Sequence, residues 1–296
     1  MSIWDEIKES FKKGSIVTRI LYVNIGVFIF LRLADVVFTL FGLETNQWIY
    51  PLNLVEISAD LNVLMTKPWT VITYMFAQFD FLHILFNMLI FYWFGRFFLT
   101  IYNEKQLLGL YITGGLAGAL LYILAYNFIP FYSKDLTREM LGASASVLAI
   151  VVAVAVTAPN NEINLIFIGP VKMKYLALFT VVIDLISVTG DNAGGHIAHL
   201  GGAAWGWMYV MAFQKGNDMG KFVNIIIDSI VSIFKPKRKK MKVKWNRPVT
   251  DIDQEYRDQR AAKEHEIDAI LEKIKKSGYD SLTKDEKQKL FQAGNH

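Results

Sequence analysis

The middle of the chain is a succession of apolar segments with almost nothing polar left to face water. Segments near 17–40, 80–99, 107–126, 142–157, 174–188 and 195–213 each approach the roughly 20 residues that cover a bilayer's hydrocarbon. The fourth and fifth are short, and after the long first loop, 41–79, brief links join the rest. Buried helices of soluble domains are accompanied by amphipathic neighbours whose polar faces solvate the fold. Six apolar segments in a row supply no such face, and lipid admits only helices or closed barrels. The pattern predicts an all-α membrane protein, a six-transmembrane-helix bundle. Composition agrees, with 53% hydrophobic residues and a mean hydropathy of +0.30.

Basic residues then choose an orientation. With the N-terminus in the cytoplasm, Lys8, Lys12, Lys13, Arg19, Arg96, Lys105, Lys172 and Lys174 fall inside and only Lys67, Lys134 and Arg138 outside. An even number of spans returns the tail to the same side, where Lys235, Lys237, Arg238, Lys239, Lys240, Lys242 and Lys244 form the densest basic run. The expectation is a multi-pass protein of the plasma (inner) membrane with both termini cytoplasmic. No short apolar core followed by a small-residue cleavage site opens the chain, so the first span is expected to be retained. The absence of cysteine removes disulfides, thiolate metal sites and cysteine nucleophiles.

The flanks divide into smaller pieces. Residues 1–14 place Trp4, Ile7 and Phe11 on one helical face, as interfacial helices do. Residues 15–214 hold the six-helix core. Residues 215–247 read as an interfacial helix, interrupted by Asp228, and a basic linker. Each of its charges is worth about 1 kcal/mol against anionic headgroups, so the expected partner is the lipid bilayer and no nucleic acid is expected. Residues 248–296 form a small helical cytoplasmic tail. Ile267, Ile270, Leu271 and Ile274 share a helical face, Ser277-Gly278 stops that helix, and Thr283 with Glu286 is a capping-box signature for another. His265 and His296 are expected to be solvated there.

Polar side chains inside membrane helices are costly and need a reason. Three spans carry them: His83 to Asn87 in the second, Gly142-Ala143-Ser144-Ala145-Ser146 in the fourth, and Gly195-His196-Ile197-Ala198-His199 through Gly202 and Gly206 in the sixth. Helix packing explains a lone serine, since small residues allow close approach and polar ones bridge helices. Depth is a further constraint. Spans two, four and six run in the same direction, and His83, Ser144 and His199 lie within about five residues of each start. At 1.5 Å per residue they sit roughly 3–8 Å below the outer boundary, with Asn87 one turn deeper on the face of His83. Packing alone does not impose a shared depth on three helices, whereas an active site does. Ser144 supplies a nucleophile and His199 its base. His83 and Asn87, with the Ser144 backbone N–H, supply donors for an oxyanion. Gly202 and Gly206, and Gly142 in its own segment, permit close helix packing. No carboxylate accompanies these residues in their own spans, which makes a Ser-His dyad the economical proposal.

The residues resemble the rhomboid family of intramembrane serine proteases: H-x-x-x-N at His83 and Asn87, G-x-S-x from Gly142 to Ala145, and A-H-x-x-G-x-x-x-G from Ala198 to Gly206, preceded by Pro68-Trp69 and Tyr74. The likeness covers about 15–214. It implies a cavity open to the non-cytoplasmic side and single-pass transmembrane protein substrates cut in or near their spans, with no metal and no cofactor. The first loop, 41–79, resembles a partly embedded loop beside a lateral entrance, and 175–195 the gate. Ala145 stands where the family more often has glycine. The oligomeric state, the substrate and the role of the tail are not readable.

Other polar residues compete for attention. His196 lies near the face of His199 and is a rival base. Arg32 and Asp35 are spaced for a local ion pair. Asp184, in the fifth span, bonds a neighbouring helix or enters the cavity. A non-catalytic rhomboid-like protein that binds or escorts membrane clients is the main alternative, and loss of Ser144 or His199 would have favoured it.

Overall fold

The computed structural model describes residues 2–43, 50–165, 169–234 and 249–294. The basic run from Lys235 to Lys244 and His296 lie outside them. Twelve α-helices are described: α1 (Ile3–Lys13), α2 (Ile16–Leu40), α3 (Leu61–Thr66), α4 (Thr70–Thr73), α5 (Phe81–Phe98), α6 (Glu104–Phe128), α7 (Ser144–Thr157), α8 (Met173–Ser187), α9 (Ala193–Gln214), α10 (Lys221–Phe234), α11 (Val249–Ser277) and α12 (Lys284–Ala293). The chain forms two compact units, Met1–Lys235 and Pro236–His296. The helix over 221–234 falls in the first unit, where Asn224 Nδ2 donates to the Lys105 carbonyl at 2.9 Å.

All six expected segments are helical, yet among the described residues only α2, α5 and α6 are both long and apolar enough to cross a membrane. α7 has 14 residues, about 21 Å at 1.5 Å per residue, against roughly 30 Å of hydrocarbon. α8 has 15. α9 has 22 residues, and its glycines and two histidines dilute its hydropathy.

α7 is the centre of the first unit. Every residue from Ala145 to Ala155 is buried, as expected of a helix apolar on all sides. α5, α6, α8 and α9 pack around it. The outer faces of those helices expose large apolar side chains, including Leu120 and Phe128 on α6 and Phe179, Leu185 and Ile186 on α8. Exposed apolar surface of this extent suits lipid rather than water.

The described structure is mostly helical, as expected, with two short strand pairs beside the helices. β1 (Ile57–Ser58) pairs antiparallel with β2 (Glu139–Met140), and β3 (Glu162–Leu165) with β4 (Gly169–Lys172). The first pair ties the loop after α2 to the segment that precedes α7. Beside it, burial and the hydrogen bond with the Glu139 carboxyl push Glu56 from 4.5 up to about 8. A carboxyl raised by folding stabilises fully below its unfolded value and loses that contribution as pH rises through its folded one. The loop's attachment is therefore expected to weaken between about pH 5 and pH 8, and Glu56→Gln should flatten the trend. Melting temperatures of both proteins across this range test it; parallel curves would count against the carboxyl pair.

In the second unit α11 and α12 pack together. Gly278, at φ 79°, ends the first of them, and Thr283 and Glu286 form the expected capping box. Ile270 is buried, whereas Leu271 is exposed, so the apolar stripe is narrower than its spacing implied.

Candidate active site

Ser144 is the first residue of α7, so the opening backbone N–H groups of that helix have no intrahelical acceptor. Gly142 lies just outside the helix at φ 140°, in the region that favours glycine. This corrects its expected packing role: Gly142 shapes the turn into α7. Its N–H donates to the Tyr74 carbonyl at 3.0 Å, and the Tyr74 hydroxyl donates to the Gly115 carbonyl at 2.6 Å.

His199, on α9, brings Nε2 to 2.6 Å from Ser144 Oγ. Its Nδ1 lies 2.8 Å from Asp184 Oδ1 on α8. A carboxylate can only accept, so the Nδ1 proton donates to it and Nε2 is left to accept from the serine hydroxyl. His196 Nδ1 approaches the same Asp184 oxygen at 2.7 Å. Two imidazoles thus satisfy a carboxylate that is 6% exposed and would be costly to bury alone. Of the two histidines, His199 is the one that reaches Ser144.

Glycines set this separation. A Cβ at Gly202 would stand 2.1 Å from the Ala145 carbonyl oxygen, and one at Gly206 2.2 Å from that of Ala149. α7 and α9 therefore touch backbone to backbone. Gly118 of α6 makes a third close approach, its Cβ position 2.8 Å from the Ala198 oxygen. Gly202→Ala must push α9 off α7. The expected cost is about 1–3 kcal/mol of stability, and a 1 Å misplacement costs on the order of 10² in rate. Thermal unfolding and a turnover assay on the variant check both; wild-type turnover would mean that the close approach is dispensable.

His83 and Asn87 both lie near Ser144, in different surroundings. His83 lines a polar cavity of ≈ 310 Å³ with Tyr74, Glu139, Gly142 and Asn192. Asn87 lines an apolar cavity of ≈ 580 Å³ with Phe86, Trp93, Leu176 and Ile183, between α5 and α8. Ser144 and His199 border both cavities. Asn87 Nδ2 donates to Gln78 Oε1 at 3.0 Å, Gln78 Nε2 donates to Asn24 Oδ1 at 3.2 Å, and Asn24 Nδ2 donates to the Tyr111 hydroxyl at 3.2 Å. This buried chain fixes the Asn87 amide and leaves its second N–H available.

Comparison with known proteins fits this arrangement. The Rhomboid domain family matches residues 65–216, a stretch that holds His83, Asn87, Ser144, Asp184 and His199. The chain belongs to the rhomboid family. Among its relatives, RHOMBOID-like protein 12, mitochondrial, of Arabidopsis thaliana is 28% identical over 223 residues, 72% of this rhomboid and 62% of that protein. Presenilin-associated rhomboid-like protein, mitochondrial, of Homo sapiens is 25% identical over 141 residues, 46% of this chain and 35% of that one. The Danio rerio protein A has the same identity and coverage. This rhomboid thus spans less than two thirds of the length of these relatives. Its residues 250–293 match a family of unknown function, DUF6576.

The relatives' mitochondrial names overturn the plasma-membrane expectation. The asymmetry of basic residues reports the sidedness of a chain in its membrane, and does not identify which membrane that is.

The expected bond from Asp184 to a neighbouring helix is present, to His196 and His199, but sequence reasoning did not name those partners and missed the part played by Gln78. Asp184 is an acid within an apolar segment and drew notice, but its partners depend on which face of α8 turns inward. Asn24, a buried polar residue inside α2, carried a similar signal. Gln78 sits in a loop and carried none. Arg32 and Asp35 do pair, at 3.5 Å, and the Tyr50 hydroxyl also donates to Asp35 at 2.5 Å.

Proposed function

We propose that this rhomboid is an intramembrane serine endopeptidase in which α2, α5, α6, α7, α8 and α9 form one membrane-embedded six-helix bundle. The reading rests above all on Ser144 Oγ lying 2.6 Å from His199 Nε2, with Asp184 behind the ring. In it, Ser144 attacks the substrate carbonyl while His199 takes its proton. The C–N bond then breaks, and His199 returns that proton to the leaving amine. Water attacks the acyl ester, giving its proton to His199, and as the C–Oγ bond breaks His199 returns that proton to Ser144 Oγ and the new acid departs. Asp184 orients the ring and stabilises the transient imidazolium, so the dyad expected from sequence becomes a triad. In this reading His83, Asn87 and the first N–H groups of α7 serve as the oxyanion donors, each worth roughly 3 kcal/mol.

The shortness of α7 supports the same reading. A 14-residue helix cannot cover the hydrocarbon, so Ser144 starts below the membrane face, where the polar cavity can hold water. The apolar cavity between α5 and α8 suits side chains of a single-pass membrane substrate. The relatives' names favour a mitochondrial membrane as the setting. Reconstitution of the full chain in liposomes with a single-pass reporter tests the reading. Two fragments cut in or near the span are expected; an intact reporter that nonetheless copurifies would favour a client-binding protein.

A further inference from the structure

His196 is the polar group of the site for which hydrolysis has no use. One imidazole is enough to engage Asp184, yet His196 turns the same nitrogen to the same oxygen as His199 does, at 2.7 and 2.8 Å. One ligand atom from each of Asp184, His196 and His199 lies within 4.8 Å of the other two. His196 and His199 are three residues apart, neighbours on one helix face, and Asp184 meets them from α8. Two imidazoles and a carboxylate with a fourth position open form a donor set suited to zinc and its first-row neighbours.

We propose that Asp184, His196 and His199 form an inhibitory site for a divalent transition-metal ion of the zinc class. The proposal rests on His199 being the base. Zinc–nitrogen bonds of about 2.0–2.1 Å place tetrahedral ligands roughly 3.3–3.5 Å apart, so the two Asp-His contacts need to open by less than about 1 Å. The consequence follows from the ring's proton. A neutral imidazole carries one N–H, at Nδ1 while it donates to Asp184. A metal bound at Nδ1 leaves that proton on Nε2, which then faces Ser144 as a donor. The ring remains neutral, but its free lone pair is gone and it cannot deprotonate the serine. The metal acts here as an inhibitor, not as a cofactor, and its removal restores the base.

The test uses the full chain in detergent. Zinc chloride titrated by calorimetry should bind at one ion per chain to wild type and equally to Ser144→Ala, a result independent of any proteolysis. His196→Gln keeps a donor for Asp184 and removes a ring ligand. It should weaken binding by more than the roughly 10–100-fold that loss of a supporting outer-shell partner costs. His265→Ala, in the tail, should bind as wild type does. Cobalt chloride should give wild type the visible spectrum of a tetrahedral, nitrogen-ligated ion. Zinc should inhibit reporter cleavage reversibly on chelation, each variant being scored against its own uninhibited rate. Equal zinc affinity in wild type and His196→Gln, no stoichiometric binding to wild type, or an octahedral cobalt spectrum would overturn the site. Stoichiometric, His196-dependent binding without any cleavage would uphold the metal site and reject the protease reading.

Discussion

Ser144→Ala and His199→Ala are each expected to lower cleavage of a reconstituted single-pass substrate on the order of 10⁶-fold, and the double variant no further. The non-additivity is the informative part. A hydroxyl 2.6 Å from an imidazole nitrogen is a weak nucleophile without its base, and the base has no proton to take without the hydroxyl. Removing either removes the same step, worth about 8 kcal/mol at 1.36 kcal/mol per tenfold. Stability should change little, because both side chains are only partly buried and neither substitution overpacks the contact between α7 and α9. Comparing the three proteins at matched thermal stability, with KM and kcat separated, checks this. Losses that simply multiply in the double variant would mean that the two residues act independently.

Asp184→Asn is expected to cost about 10⁴ in kcat, as when an acid behind a catalytic imidazole is neutralised. Asparagine has nearly the shape of aspartate, so the packing of α8 on α9 should persist. It lacks the charge that steadies an imidazolium, and its amide can donate to Nδ1 and impose the tautomer in which Nε2 carries the proton. KM should stay near the wild-type value, since the loss falls on the transition state. A purely structural role predicts the reverse, a lowered melting temperature with kcat preserved. Turnover within a few-fold of wild type would return the site to a dyad.

Much of this arrangement was legible in the sequence, through two physical signals. Hydrophobic length located α2, α5, α6, α7, α8 and α9 to within a few residues, because a helix in lipid must hide its backbone wherever apolar side chains allow. The cost of placing polar groups in that setting then singled out His83, Asn87, Ser144 and His199, and their common depth tied them together. Gly202 and Gly206 were readable for the same reason, as positions where a side chain would hold two backbones apart. The Asp184 contacts were harder, because a segment apolar on most sides does not declare its inward face. The β1–β2 pair was invisible: two residues carry no periodicity, and Ile57 meets Met140 only because the intervening helices fold back. The membrane itself was misassigned, since charge asymmetry is shared by membranes of different organelles.

A fluorophosphonate probe with adduct mapping by mass spectrometry interrogates the serine directly, without the identity of a natural substrate. The expected result is one covalent adduct, on Ser144, formed by wild type and lost in His199→Ala, with Ser146 unmodified in its buried position. An adduct on another residue, or undiminished labelling of Ser144 in His199→Ala, would contradict activation of that serine by that histidine.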